Sequence, residues 1–340
     1  VSKEESIEEL YEHHKVIADK GQEPLRVDKF LLNRLEGTSR NKIQQSADQG
    51  FVQVNGNTVK SNYKVKPHDV VRVMFANPPR EIELIPQDLP LDIVYEDEDV
   101  VVINKAAGMV VHPGYGNYKG TLVNALAFHF ENLPSHGGDP GRPGLVHRID
   151  KNTTGLMVIA KNEQAMTHLS KQFFERSIER KYNALVWGDM KEQQGSIEGN
   201  IGRSLKNRKV MTVFPDGEFG KYAKTNYQVL ERLGYISLVE CKLETGRTHQ
   251  IRVHFQHIKH PLFNDHEYGG NKILKGTTFT KYKQFVENCF RIIPRQSLHA
   301  KSLAFKHPKT GKWLQFNSDI PKDMQEVIEK WRVYAKHKKD

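Results

Sequence analysis

The sequence predicts an α+β protein: a larger domain on a mixed, largely antiparallel sheet with flanking helices, and a small α+β domain ahead of it. Three observations carry this. The 340 residues exceed one average domain and suit two. Charge changes sign along the chain. Residues 1–24 hold three lysines against seven acids, net −4, whereas residues 25–75 hold nine Lys/Arg against four acids, net +5. From Leu91 onward, strand and helix patterns alternate irregularly and several strand pairs are joined by hairpins, which argues against a doubly wound parallel sheet.

The elements follow in order. Residues 1–24 read as an acidic helical leader, unsuited to a polyanion. In 25–75, "RVDKFLLNRL" puts Val27, Phe30, Leu31 and Leu35 on one helical face. "TSRNKIQQSADQG" opens with Thr38 or Ser39 as N-cap and stops at Gly50. "FVQVNG" alternates as a strand into an Asn-Gly turn, and "DVVRVMF" is another strand. Proline-punctuated residues 76–90 read as a linker.

The larger domain spans 91–335. "LDIVYEDEDVVVINK" predicts two strands around an acidic turn, "TLVNALAFHFENL" an amphipathic helix, "LMVIAKN" a strand and "EQAMTHLSKQFFERSIER" a helix. "KYNALVWG" is a strand, and "TNYQVLERL" with "YISLVECKLET" a hairpin around Gly234. "RTHQIRVHFQHI" is a helix, "SLHAKSLAFKHPKTGKWLQFNS" a hairpin, and "KDMQEVIEKWRVYAKH" a terminal helix.

Composition bounds the function. The formal net charge of +10 favours a polyanionic partner, because each neutralised phosphate releases counterions. Cys241 and Cys289 are too few for a disulfide framework, which fits a reducing compartment. There is no apolar stretch of signal-peptide type and no run near the roughly 20 apolar residues of a membrane span. A soluble, cytoplasmic protein with no membrane partner is expected. The absence of a Walker glycine loop, a dinucleotide fingerprint and a cysteine cluster fits an expectation of no cofactor. His249, His254, His257 and His260 crowd twelve residues, but without a cysteine, and "KHP" breaks the stripe, so no metal is expected.

The stretch "GLVHRIDKNTTGLMVIAKN", residues 144–162, sets Asp150 among His147, Arg148 and Lys151 at the edge of apolar runs. Three readings are open: a turn acid bonding local amides, a metal ligand, or an ionised carboxylate poised for nucleophilic or acid–base work on a sugar.

Four segments together resemble the RluA/RluD-type family of ribosomal RNA pseudouridine synthases: "INKAAGMVVHPG", "HRIDKNTTG", "ERKYNALVWG" and "LETGRTHQIRVHFQHIKHPLFND". The resemblance covers roughly residues 90–320. Residues 25–75, with "SRNKIQQSADQGFVQVNG", resemble the alpha-L RNA-binding domain of several ribosomal proteins and synthetases.

The resemblance implies isomerisation of uridine to pseudouridine in RNA, with large-subunit ribosomal RNA preferred and transfer or small-subunit RNA as alternatives. Asp150 is then the essential carboxylate, acting on the sugar as nucleophile or as a base toward a glycal. Tyr182 stacks on the uracil, and Arg247 pairs with Asp150. The target base must be flipped out of its stack, and Arg148 fills the gap. Arg252, whose helical spacing suits a phosphate contact, is placed with the RNA-binding residues. So are His147, Lys105 and His112, and Arg40 and Lys42 of the small domain. A monomer is expected. The rival class is a non-catalytic RNA-binding or ribosome-assembly factor; a glycosidase lacks an evident second acid.

Overall fold

The computed structural model describes residues 10–35, 38–75, 84–114, 117–135, 142–205, 207, 210–217 and 219–337, in two compact units, 1–83 and 84–340. The first nine residues, most of the linker and much of "GGDPGRPG" lie outside the described residues.

In the first unit, β1 (Tyr11–Ile17) pairs antiparallel with β6 (Val70–Phe75), which continues to β3 (Val52–Val54) and β4 (Asn57–Thr58). β2 (Leu25–Arg26) pairs with β5 (Lys64–Val65), and two short helices, α1 (Val27–Leu32) and α2 (Arg40–Asp48), close the core. The Asn-Gly turn forms as expected, with Asn55 at φ 51° and Gly56 at φ 84°, the pair of positive values a tight hairpin needs. Ser39 is the cap of α2 and accepts from the Lys42 amide at 3.4 Å. Asp28 is fully buried and accepts from Arg26, Arg40 and Gln44. Burial alone would raise its pKa; those hydrogen bonds reverse the sign and hold it below the usual carboxylate range.

Residues 11–17, expected within a helical leader, form a strand instead. β6 has an open edge there, and Tyr11, Val16 and Ile17 match Phe75, Val71 and Val70 across it. Sheet pairing across some 55 residues outweighs local helical preference.

The second unit is one ten-stranded sheet. β7 (Ile93–Glu96) and β8 (Val100–Lys105) form the acidic-turn hairpin, and α3 (Leu122–His129) follows. Next come β9 (Thr154–Ala160), α4 (Glu163–Phe174), β10 (Glu179–Trp187), β11 (Gln194–Arg203) and β12 (Met211–Phe214). β13 (Lys221–Arg232) and β14 (Ile236–Leu243) form the hairpin around Gly234, and α5 (Gln250–His257) follows. α6 (Thr280–Ile292), β15 (Leu298–Lys306), β16 (Trp313–Asn317) and α7 (Lys322–His337) complete the unit. The strand order is β12-β11-β13-β14-β10-β15-β9-β8-β7, with β16 also on β15. β15–β9 is parallel and the other pairings are antiparallel, so the sheet is mixed and largely antiparallel.

The period of two along β10 and β14 divides the core. Leu185, Trp187, Ile236 and Leu238 face α6 and α7 with Trp331 and Met324. Tyr182, Ala184, Val186, Val239 and Cys241 face the other way, with Ile149 and with Ile251 and Phe255 of α5. That second face carries the site.

Candidate active site

Asp150 lies in a turn just before β9, where the Thr153 amide bonds its carbonyl at 3.1 Å. The segment leading to the turn is fastened to β9. The Ala160 amide bonds the Gly144 carbonyl at 2.9 Å, and the Val158 amide donates to His147 Nε2 at 3.1 Å. Gly144 has φ 69°, and a Cβ there would come 2.5 Å from Ile159 Cγ2, so the close approach requires glycine.

Two buried cations hold the turn. Lys105 Nζ donates to the carbonyls of Ala106, Met109 and Lys151 at 2.7, 2.9 and 3.0 Å. Arg295, itself paired with Asp323, donates to the Asn152 carbonyl at 3.1 Å. Burial pulls the Lys105 pKa down to about 7, against the Asp150 charge. Lys105 therefore secures the turn rather than lining the cleft above it.

The cation against Asp150 is Arg252, not Arg247. Arg252 is 4% exposed; its Nη1 lies 3.2 Å from Asp150 Oδ2. Its Nε and Nη2 fork onto fully buried Asp265 at 2.7 and 2.8 Å, and Nη2 also reaches Glu267 at 2.5 Å. Burial opposes its charge, but the Asp265 hydrogen bonds and the surrounding carboxylates outweigh burial and raise its pKa. Arg247 instead sits in the loop before α5, and its Nε donates to the Tyr222 carbonyl at 3.1 Å. The physical reason is where the helix starts. His249 takes the left-handed conformation, φ 55°, and α5 begins at Gln250. Arg252 is thus in the first helical turn, facing inward, and Arg247 precedes it.

The elements enclose a cleft of about 460 Å³ lined by Asp150, His147, Arg148, Tyr182, Arg247 and Arg252, and also by Phe173, Phe174, Arg176, Arg180 and His249. Tyr182 comes from β10 and is 6% exposed; burial raises its pKa, so the phenol stays protonated. Among the described residues its hydroxyl has no hydrogen-bond partner. His249 Nε2 is 3.9 Å from Asp150 Oδ1, and its Nδ1 meets the Tyr268 hydroxyl at 2.8 Å. Burial lowers its pKa despite Asp150, so Arg252 is the fixed positive charge on that carboxylate.

The other expected contacts divide. Arg148 is exposed, and its Nη1 lies 3.4 Å from His112 Nε2. His147 stacks on Phe173, with ring centroids 4.6 Å apart, and burial first, then Arg180, lowers its pKa to about 3. It is a neutral strut for the turn, not a cationic RNA contact. His112 and Lys105 do not line the cleft. Arg40 and Lys42 belong to the other unit, where Arg40 Nε is 3.0 Å from Asp28.

The crowded histidines do not converge: His254 bonds Thr225, His260 bonds the Trp187 carbonyl, and His257 is exposed. One group among the described residues has metal-ligating composition, Asp97, Asp99 and His307. His307 Nδ1 accepts from the Lys309 and Thr310 amides, so Nε2 carries the proton and donates to Asp97 at 2.8 Å. That proton ties the β7–β8 turn to the β15–β16 hairpin.

Sequence reasoning missed Asp265, His249, Arg295, Arg180 and Phe174. Asp265 closes the segment that carries both arginines, and a buried arginine with two carboxylates thirteen and fifteen residues on is a findable pattern.

Comparison with known proteins identifies the family. Residues 99–257 match the family model of RNA pseudouridylate synthase, and residues 25–71 match the S4 domain. A protein of Chlorobaculum parvum named an uncharacterized RNA pseudouridine synthase is 48% identical over 92% of this chain and 96% of its own length. The ribosomal large subunit pseudouridine synthase D of Vibrio cholerae is 41% identical over 92% of both. Among solved structures, human RNA pseudouridylate synthase domain containing 4 superposes with a TM-score of 0.52 at 25% identity, over 71% of this chain and 92% of that one.

Proposed function

Because the chain belongs to the RNA pseudouridylate synthase family and is an RNA pseudouridine synthase, we propose that Asp150 is its essential carboxylate and large-subunit ribosomal RNA its substrate. The single observation that carries the role of Asp150 is its pairing with Arg252 in the cleft that Tyr182 also lines. A fixed guanidinium at hydrogen-bond distance holds the carboxylate aimed. Both routes to glycosidic cleavage, attack on the anomeric carbon and removal of a ribose proton, need it so.

The reaction conserves atoms and oxidation state: the N–C bond to uracil breaks, the base turns, and its C5 bonds the same sugar carbon. The C5 proton then leaves, and the freed N1 takes up a proton. Tyr182, protonated and without a partner among the described residues, stacks on the uracil and passes protons at that step. The target uridine is flipped into the cleft at a cost of a few kcal/mol. Arg148, exposed at the rim, fills the gap it leaves.

The substrate class rests on the printed names of relatives and on the S4 match. A cytoplasmic site of action fits the bacterial relatives named for ribosomal RNA; no described helix is long and apolar enough to cross a membrane. The test is incubation with large-subunit RNA transcribed with [5-³H]uridine. Tritium release without free uracil is expected. Release from transfer RNA but not from large-subunit RNA would overturn the substrate, and binding without release from either would overturn the enzyme reading.

A further inference from the structure

One wall of the cleft carries a cation and an aromatic ring that the reaction at Asp150 does not use. Arg180, near the start of β10, has no hydrogen-bond or ion-pair partner among the described residues, and its Nε is buried. Its guanidinium lies 5.3 Å from the centre of the Phe173 ring, and Phe173 in turn stacks on His147. The cation is therefore oriented by aromatic packing rather than by a counter-ion. The facing wall makes room for it: a Cβ on Gly246 would come 2.9 Å from Arg180 Nη1.

Phe174 is the second oddity. α4 buries Ala165, Met166 and Leu169 and packs Phe173 against them, a stripe at helical spacing. Phe174 falls off that stripe and is 88% exposed, the most of any large hydrophobic side chain described. The helix ends at Phe174 with Glu175 as its cap; Arg176 follows at φ 60°, and the Ser177 amide bonds the Gln172 carbonyl at 3.0 Å. This closure turns the chain back so that Arg180 and Phe174 line the same cleft as Asp150. Charge favours a polyanion there. Arg148, Arg176, Arg180 and Arg247 line the cleft beyond the neutralised Arg252–Asp150 pair, against one further acid, Glu244.

We propose that the α4–β10 corner is a second nucleotide subsite, in which Arg180 pairs with a backbone phosphate of the RNA strand entering the cleft and the Phe174 ring stacks on an unpaired base beside the target uridine. A guanidinium without a counter-ion suits a phosphate, which takes its fork in a bidentate pair. An exposed ring suits any base, because every base has a stacking face. The subsite would favour single-stranded or looped RNA around the target. It rests on the RNA-synthase reading of the cleft.

The test uses full-length protein carrying Asp150→Asn, so that bound RNA is not converted, and a large-subunit stem-loop transcript. Binding is measured across salt concentration, with thermal midpoints alongside. Adding Arg180→Met should flatten the slope of log affinity against log salt by about 0.7–0.9, the share of one phosphate; Arg180→Lys should keep the slope. Phe174→Ala should weaken binding about five- to 150-fold with the slope unchanged, the worth of one stacked base, and Phe174→Trp should retain affinity. An unchanged slope in Arg180→Met, whether or not its midpoint falls, overturns the phosphate contact and leaves Arg180 as packing for Phe173. Unchanged affinity in Phe174→Ala overturns the stacking. Tritium release by wild-type protein from the same transcript separates the two levels: release with either negative result sinks only the subsite, whereas no release sinks the synthase reading and the subsite with it.

Discussion

Replacing Arg252 by methionine should damage stability and chemistry together. The side chain is 4% exposed and makes two bonds to Asp265, one to Asp150 and one to Glu267. Methionine keeps most of the volume but leaves Asp265, fully buried, with only the amides of Glu267 and Tyr268 at 3.1 and 3.2 Å. Removing one partner of a buried pair costs about 3–5 kcal/mol. In a unit of this size that is a fall of about 6–20 °C in thermal midpoint. Asp150 meanwhile loses its fixed cation, since burial keeps its other neighbour, His249, from carrying charge. The single-turnover rate should drop at least about a hundredfold. Arg252→Met, Asp265→Asn should recover part of the midpoint and none of the rate, because it removes the stranded charge but restores nothing at Asp150. Arg247→Met should leave the midpoint nearly unchanged. Tritium release at saturating enzyme and thermal unfolding are the assays. A variant Arg252→Met that reacts within a few fold of wild type, or melts where wild type does, refutes the reasoning.

Three further outcomes are expected. Gly155→Ala should destabilise by at least about 2–3 kcal/mol, because φ is 113° and the new Cβ would lie 2.3 Å from the Ala300 carbonyl oxygen across the parallel pairing; urea unfolding reads it. Lys105→Met should strip the carbonyls of Ala106, Met109 and Lys151 of their shared donor and slow single turnover far more than it weakens RNA binding, measured on one transcript. His147, His254 and His299 have folded pKa values lowered by burial to about 3, 4 and 4. The unfolded chain therefore binds more protons below its ordinary histidine value. Stability present above pH ~6.5 is lost as pH falls toward 4, by up to about 1.4 kcal/mol per pH unit for each histidine. His299→Gln should remove one such share from the slope of unfolding free energy against pH; an unchanged slope would contradict the neutral assignment.

Much of the second unit was legible because its signals are local. Hairpins at Gly234 and at Lys309–Gly311 announce themselves by turn residues between alternating runs, and the Asp150 turn by an acid between two apolar stretches. The misses have long-range causes. Residues 11–17 look helical locally and become β1 only against β6, some 55 residues away. β11 carries little strand signal, because Gly195, Gly199 and Gly202 dilute its pattern and only Ile197 and Ile201 are buried apolar positions. α6 carries an apolar face, Tyr282, Val286 and Cys289, that becomes meaningful only against Trp331 of α7. Local pattern does not distinguish Arg247 from Arg252, which stand five apart in one segment. What separates them is the left-handed His249 between them and Asp265 beyond, neither of which local periodicity weighs.

The central claim is that Asp150, held by Arg252, performs the isomerisation while binding resides elsewhere. Asp150→Asn tests it most directly, with tritium release and filter binding measured on the same large-subunit transcript. Most affinity comes from phosphate contacts, so binding should stay within a few fold of wild type while release falls to background. Release within tenfold of wild type would contradict the claim.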